Sequence, residues 1–235
     1  MPPLRLERSL LPAMVTAALV FALFEVTTID LAVQDRLFDF SAGTWMIDRN
    51  EPVARALFYT GPKVVLALLG LALLVAVVRP PRGRSRRPFA TALLTLGGVP
   101  LIVGWGKDVT NVFCPWDNTR YGGQVPYVRV IERFPDGTRP ARRGRGFPAG
   151  HASGGFALVG LAALARTRRE QLSAIALAAI IGGTMGGYQM AKGAHYLSHT
   201  VVTALLAWIL FLVVHRLLLS GQSDGERQAA PVPLP

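Results

Sequence analysis

The chain has 235 residues, of which 51% are hydrophobic, and these are gathered into long blocks that place it in a membrane. Its formal net charge is +11. The basic stretches lack the aromatic interleaving used to stack bases, so nucleic acid is not an expected partner. A single cysteine, Cys114, excludes an intrachain disulfide and a metal site built on paired cysteines.

Taken in chain order, six apolar runs qualify as spans of a hydrocarbon core about 30 Å thick. They are Leu10–Ile29, Leu57–Val78, Phe89–Trp105, Ala152–Ala165, Leu172–Met190 and Tyr196–Leu219. The pattern predicts an all-α polytopic membrane protein: one six-transmembrane-helix bundle over residues 1–219, followed by a polar, proline-ending tail, 220–235, expected to be disordered. Arg5 and Arg8 precede the first run, but its length and the absence of a small-residue cleavage pattern mark it as an uncleaved span. Glu25 is its one carboxylate, facing the bundle interior or reaching to the interface. The fourth run is short, so its helix is expected to start near His151 and to tilt or thin the bilayer. Between the first two spans, Asp30–Arg55 mixes acids, Arg36, Arg49, Arg55 and apolar side chains, a pattern compatible with an interfacial amphipathic helix.

Orientation follows from arginine. Arg79–Arg87 joins spans two and three, Arg166–Arg169 joins spans four and five, and short arginine-rich loops mark the cytoplasmic side. Both termini are therefore expected inside. By the same count 107–147 lies outside, yet it carries Lys107, Arg120, Arg129, Arg133, Arg139, Arg142, Arg143 and Arg145. Cations kept on that side call for an anionic partner. Phosphate held by the planar guanidinium fork and anionic lipid headgroups both fit, and one substrate satisfies both if it is an anionic lipid. Trp105, Trp116 and Tyr121 suit an aromatic belt at the outer interface, while Gly150/Gly154 and Gly183/Gly187 have the spacing that lets helices approach closely.

Three of the four histidines fall in two glycine-bearing motifs at span edges, Pro148-Ala149-Gly150-His151 and Gly193-Ala194-His195-Tyr196-Leu197-Ser198-His199. Imidazole transfers protons near neutral pH and, when neutral, can attack phosphorus. His199 lies one helical turn beyond His195, so the two share a face. The backbone N–H groups around Gly150 and His151 open a helix, where anions are favoured. A metal hydrolase on His151, His195 and His199 is a rival reading, although no glutamate follows His195 and Lys107 would repel a cation.

These motifs resemble the three-part signature of the type-2 phosphatidic acid phosphatase family, relatives of the vanadium haloperoxidases, across roughly 89–219. Lys107, six residues and Cys114-Pro115 stand for K-x6-R-P, while Pro148-Ala149-Gly150-His151 stands for P-S-G-H. Gln189, five residues, His195, three residues and His199 stand for S-R-x5-H-x3-D. The chain departs from the pattern at Cys114 and Gln189, where the family has arginines, at Ala149, and at His199 in place of a carboxylate. Cys114-Pro115-Trp116-Asp117 with Tyr121-Gly122-Gly123 is similar to a divergent bacterial branch. The resemblance implies a metal-independent hydrolase without a cofactor. In it His195 forms a phosphohistidine, His151 protonates the leaving oxygen and then activates water, and Lys107 holds the phosphate. It further implies a lipid-linked phosphate substrate (lipid A, undecaprenyl diphosphate or phosphatidylglycerol phosphate type) at the outer face of a bacterial inner membrane. For the missing arginines, Lys192, Arg145 and then Arg120 are the expected substitutes, with Gln189 and Gly150 also at the phosphate. Asp117 is a candidate for the lost carboxylate. The alternative without catalysis is a degenerate member that binds or carries a lipid phosphate.

Overall fold

The computed structural model describes residues 4, 6–138 and 140–219. The tail expected to be disordered, and Arg5 and Arg139, lie outside the described residues. Of the described residues 69% are helix and 3% strand. Helix α1 is Leu10–Val26 and α2 is the short Ile29–Gln34; α3, Pro52–Arg55, runs through a wide turn at Ala56–Thr60 into α4, Gly61–Val78. Then come α5, Arg87–Thr110, α6, Gly150–Ala157, α7, Arg168–Ala191, and α8, Leu197–Leu219.

Among the described residues four helices are long and apolar enough to cross a membrane: Pro52–Val78, Arg87–Asp117, Arg168–Ala191 and Leu197–Leu219. Leu10–Val26 with Ile29–Leu37, bent by 77°, makes up to five. The fourth expected span is the shorter apolar helix Gly150–Leu164, whose last half tightens into a 3₁₀ helix, and it does begin beside His151. Leu11, Val26, Leu57, Leu101, Trp105 and Leu217 are each more than half exposed on these helices. Such a coat of bare apolar side chains suggests a lipid-facing surface.

Inside, Ala92, Val99, Val103, Ala152, Ala157 and Phe211 are buried to 1% or less and bind α5, α6 and α8 into one core. Helices α6 and α7 touch through glycine: a Cβ on Gly155 would lie 2.6 Å from the Gly182 Cα, and one on Gly186 would collide with Thr200 of α8. The expected packing pair Gly183/Gly187 has nothing within 4 Å, so the close-approach face of α7 is one residue earlier, at Gly182 and Gly186. Gly154 of the other expected pair does receive a neighbour, Leu66 of α4.

The segment 30–55 is not one amphipathic helix. After α2 it forms a two-stranded hairpin, β1 Phe38–Asp39 against β2 Thr44–Trp45, closed by Gly43 at φ +65°. Asp39 holds the turn by accepting from the Ser41 and Ala42 N–H groups. The hairpin aromatics wrap Tyr121, which packs edge-on or tilted against Phe38, Phe40 and Trp45 and is buried, not part of an exposed belt. Glu25, at the end of α1, accepts from the Val130 and Ile131 N–H groups, tying the long 111–149 connection down. The hairpin, that connection, the C-termini of α5 and α7 and the N-termini of α6 and α8 thus meet at one end of the bundle.

Candidate active site

Lys107 sits in the last turn of α5, which stops at Asn111 in a left-handed conformation, φ +57°. Its Nζ donates to the Arg145 carbonyl at 2.7 Å, and its stem crosses the start of α6 where Gly150 has no side chain. A Cβ there would lie 2.8 Å from Lys107 Cε, so glycine is what lets the ammonium reach the open N–H groups of α6. The same helix start is fixed to α8, because Ala149 N–H donates to Thr203 Oγ1 at 2.9 Å and to the His199 carbonyl at 3.2 Å.

The turn from α7 to α8 carries the other histidines. Gly193 adopts φ +74°, and a side chain on it would strike the Trp45 ring. The hairpin therefore clamps this turn, helped by Trp116 N–H donating to the Gly193 carbonyl at 2.9 Å and Gln34 Nε2 donating to Met190 O at 2.8 Å. At the first turn of α8 the Asp30 carboxylate accepts from Ser198 N–H at 2.8 Å and from its hydroxyl at 2.5 Å. A buried acid at a helix N-terminus, satisfied by two donors, holds the register of that turn. His195 and His199 are consequently buried, with their Nδ1 atoms 3.4 Å apart. The His151 ring centre lies 6.3 Å from that of His195.

These residues face a cavity of about 390 Å³, within the range of small-molecule sites. His151, His195, Lys107, Gly150, Gln189 and Lys192 all line it, and so does Arg145. His199 is behind His195 and reaches the cavity only through it. Two expectations go elsewhere. Arg120 does not line the cavity: it grips Asp35 with Nε and Nη2 at 2.7 and 2.6 Å, a paired fork at the hairpin. Asp117 accepts from Arg142 at 2.6 Å and from Cys114 N–H at 3.3 Å, so it fixes the Cys-Pro turn and does not replace the lost carboxylate. The rival metal reading needs three converging ligands, and among the described residues no three His, Cys, Asp or Glu side chains are so grouped.

Arg49, Arg55, Tyr59 and Trp116 also line the cavity, and the sequence reading missed all four as site residues. Arg49 lies over Trp116 at 5.7 Å and Arg55 over Tyr59 at 5.8 Å. Both arginines were visible as cations of the segment between the first two expected spans. Their convergence was not, because it depends on the hairpin folding back on α7, where Ile47 N–H donates to Ala191 O.

The electrostatics are one-sided. Arg49, Arg55, Lys107, Arg145 and Lys192 line the cavity and no carboxylate does. Of these five cations, only Arg145 has a carboxylate partner among the described residues, Asp108. Glu51, the acid nearest in sequence to Arg55, spends its oxygens capping α3 at the Val53 and Ala54 N–H groups. Lys192 is 8% exposed, with Tyr188 and Tyr59 rings 4.7 and 5.9 Å from its Nζ, and burial holds its pKa below the ordinary lysine value. Burial, then Lys107, holds His195 well below the ordinary 6.5, so it is neutral at physiological pH. Both amide atoms of Gln189 and Nδ1 of His151 are buried without a hydrogen-bond partner. Unmet polar groups and unpaired cations around one cavity mark a site built for an anion.

A model of the PAP2 superfamily matches residues 88–220, a stretch that holds α5 to α8 and every histidine of the site. No match to the chain was found among curated proteins or among solved structures. The matched stretch is more than half of the chain, and the phosphatases of that family act on phosphate esters. The chain belongs to the PAP2 superfamily.

Proposed function

We propose that the protein is a membrane lipid-phosphate phosphatase working through a phosphohistidine on His195, without a metal. The observation that carries this reading is the pair of imidazoles, His195 and His151, opening on one cation-lined cavity. His195 points Nδ1 at His199, which leaves Nε2 for in-line attack on phosphorus. Lys107 and the N–H groups at the start of α6 take the non-bridging oxygens, where charge grows in the transition state. His151 gives a proton to the departing oxygen and takes one from the water that later cleaves the phosphoenzyme.

The bundle is taken to have six spans, Gly150–Leu164 being the short one, with the site on the extracytoplasmic side and both termini in the cytoplasm. Arginine placement supports this orientation. A site at the bundle end suits a phosphate at headgroup depth whose acyl chains stay in the bilayer. Substrates of the lipid A, undecaprenyl diphosphate or phosphatidylglycerol phosphate type fit that position in a bacterial inner membrane.

The test is phosphate release from these lipids by the purified protein, with chelator and with vanadate. Turnover that ignores chelator and stops with vanadate is expected. Turnover lost with chelator and restored by zinc would overturn the metal-free mechanism. Cys114 and Gln189, where the family has arginines, favour a second reading as a lipid-phosphate binder, and saturable binding with no turnover on any lipid would establish it instead.

A further inference from the structure

The cavity holds more positive charge than one phosphate needs, and the surplus is on one side. Lys107 and the start of α6 already serve the phosphate that His195 attacks. Tyr59 gathers the rest: Arg55, Lys63 and Lys192 approach its ring at 5.8, 3.8 and 5.9 Å. The same Tyr59 ring packs on His151 at 4.5 Å. His151 therefore shares the Tyr59 ring with this cationic group and faces His195 across 6.3 Å. Arg49 adds its guanidinium to the same wall, and none of Arg49, Arg55, Lys63 or Lys192 has a carboxylate partner among the described residues. Keeping unpaired cations close together in a concave site is costly unless an anion comes to neutralise them.

We infer that Arg49, Arg55 and Lys192 form a second anion subsite beside His151, which takes a phosphate carried by the leaving group. This rests on the phosphatase reading, since His151 is placed there as the group that protonates the leaving oxygen. A leaving alcohol without a phosphate of its own would offer these cations only the charge that develops on its oxygen, which His151 already protonates. A leaving group with its own phosphate gains both binding and stabilisation of the charge that develops as the bond breaks. For a lipid diphosphate the step balances as follows. The bond from His195 Nε2 to the terminal phosphorus forms while the phosphoanhydride P–O bond breaks. The lipid monophosphate departs with the electron pair on its oxygen and a proton from His151. Water then attacks the phosphohistidine, returns a proton to His151 and releases inorganic phosphate. In a lipid whose second phosphate is a phosphodiester further along, the same subsite would be met at longer reach.

The experiment uses the full chain in detergent micelles. Catalytic efficiency is measured on a polyprenyl diphosphate against the matching monophosphate, and on phosphatidylglycerol phosphate against phosphatidate. The subsite requires at least one of the phosphate-bearing leaving groups to be preferred by about tenfold or more beyond the ratio of the same two lipids' uncatalysed hydrolysis rates, as expected from added contacts to charged groups. The pair showing the preference identifies which source fits. Arg49→Gln and Arg55→Gln should move that ratio toward one. A second measurement needs no variant: methylenebisphosphonate should inhibit or thermally stabilise the wild-type protein at least about tenfold better than methylphosphonate. Turnover with equal efficiency on both members of each pair would overturn the subsite and leave the phosphatase reading intact. Tight bisphosphonate binding with no turnover of any lipid would overturn the phosphatase reading and keep the subsite.

Discussion

His195 and His199 meet Nδ1 to Nδ1 at 3.4 Å, buried, one helical turn apart on α8. Two imidazoles joined this way need one protonated and one bare nitrogen, so the tautomer of each sets that of the other. If His199 accepts, His195 keeps its proton on Nδ1 and presents a bare Nε2 to the cavity. A neutral ring does this with less stabilisation of a cationic phosphohistidine than a carboxylate gives. His199 is a positioning residue, and its expected signature is chemical. His199→Asn, whose amide oxygen still accepts, should stay within about tenfold of wild type, whereas His199→Leu should lose about a hundredfold or more in kcat with little change in KM. Equal losses in both variants, or a change confined to KM, would remove the tautomer role.

The acid limb of the reaction should lie lower than an ordinary histidine gives. Burial depresses the His195 pKa well below 6.5, so as pH falls through 6.5 the ring stays neutral and nucleophilic. Single-turnover phosphoenzyme formation is the measurement, since it isolates the attack. The unfolded chain protonates near 6.5 and the folded one does not, so this ring's contribution is complete above about 6.5 and is lost as pH falls from there through the folded value. Thermal melts between pH 7 and pH 5 should show that decline, and His195→Gln should flatten it.

Lys192 and Arg145 both face the cavity but in different states. Lys192 is buried against aromatic rings and has no carboxylate partner among the described residues, while Arg145 is mostly exposed and already pairs with Asp108. Lys192→Gln should therefore lower kcat/KM by about a hundredfold, the scale of removing one donor to transition-state charge. Arg145→Gln should cost about tenfold or less, because part of its charge is already spoken for. Arg133→Gln is the control outside the cavity. Kinetics showing the same small loss in all three would leave a diffuse basic surface and no clamp.

Arg120 is expected to be structural. Its fork on Asp35, with Tyr121 donating to the same carboxylate at 2.9 Å, pins the connection to the hairpin that in turn clamps Gly193. The pair is partly exposed, so Arg120→Gln should lower stability by no more than about 1 kcal/mol. Urea unfolding measures this, and the kinetic check is that diphosphate-to-monophosphate selectivity stays as in wild type. A change in that selectivity would return Arg120 to the substrate.

Four or five of the six expected spans are long apolar helices among the described residues, and they were legible because each is a continuous apolar block of about the right length. Even the short fourth helix was readable, since Gly150–His151 opens it. Residues joined by local chain geometry were readable too, such as Gln189, Lys192 and His195 around one helix end. What failed was everything depending on segments far apart in sequence. Arg49 and Arg55 reach the cavity because a hairpin folds over Gly193, and nothing in 30–55 advertises that pairing. Asp30, Asp35 and Asp117 found partners at Ser198, Arg120 and Arg142, so the acids near the motifs were absorbed into holding loops. On α7 the sequence offered two glycine pairs of identical spacing, Gly182/Gly186 and Gly183/Gly187. Only the side facing α6 and α8 could decide between them.

The covalent intermediate is the most direct test of the account. Protein quenched in SDS at alkaline pH would be digested at neutral or alkaline pH, after brief turnover of a lipid labelled in its terminal phosphate, and the label located by mass spectrometry. His151→Ala is used to slow hydrolysis of the intermediate. The expected result is stoichiometric, acid-labile label on the peptide containing His195, absent from His195→Ala. Full turnover by wild type with no label on His195, or label unchanged in His195→Ala, would contradict the mechanism.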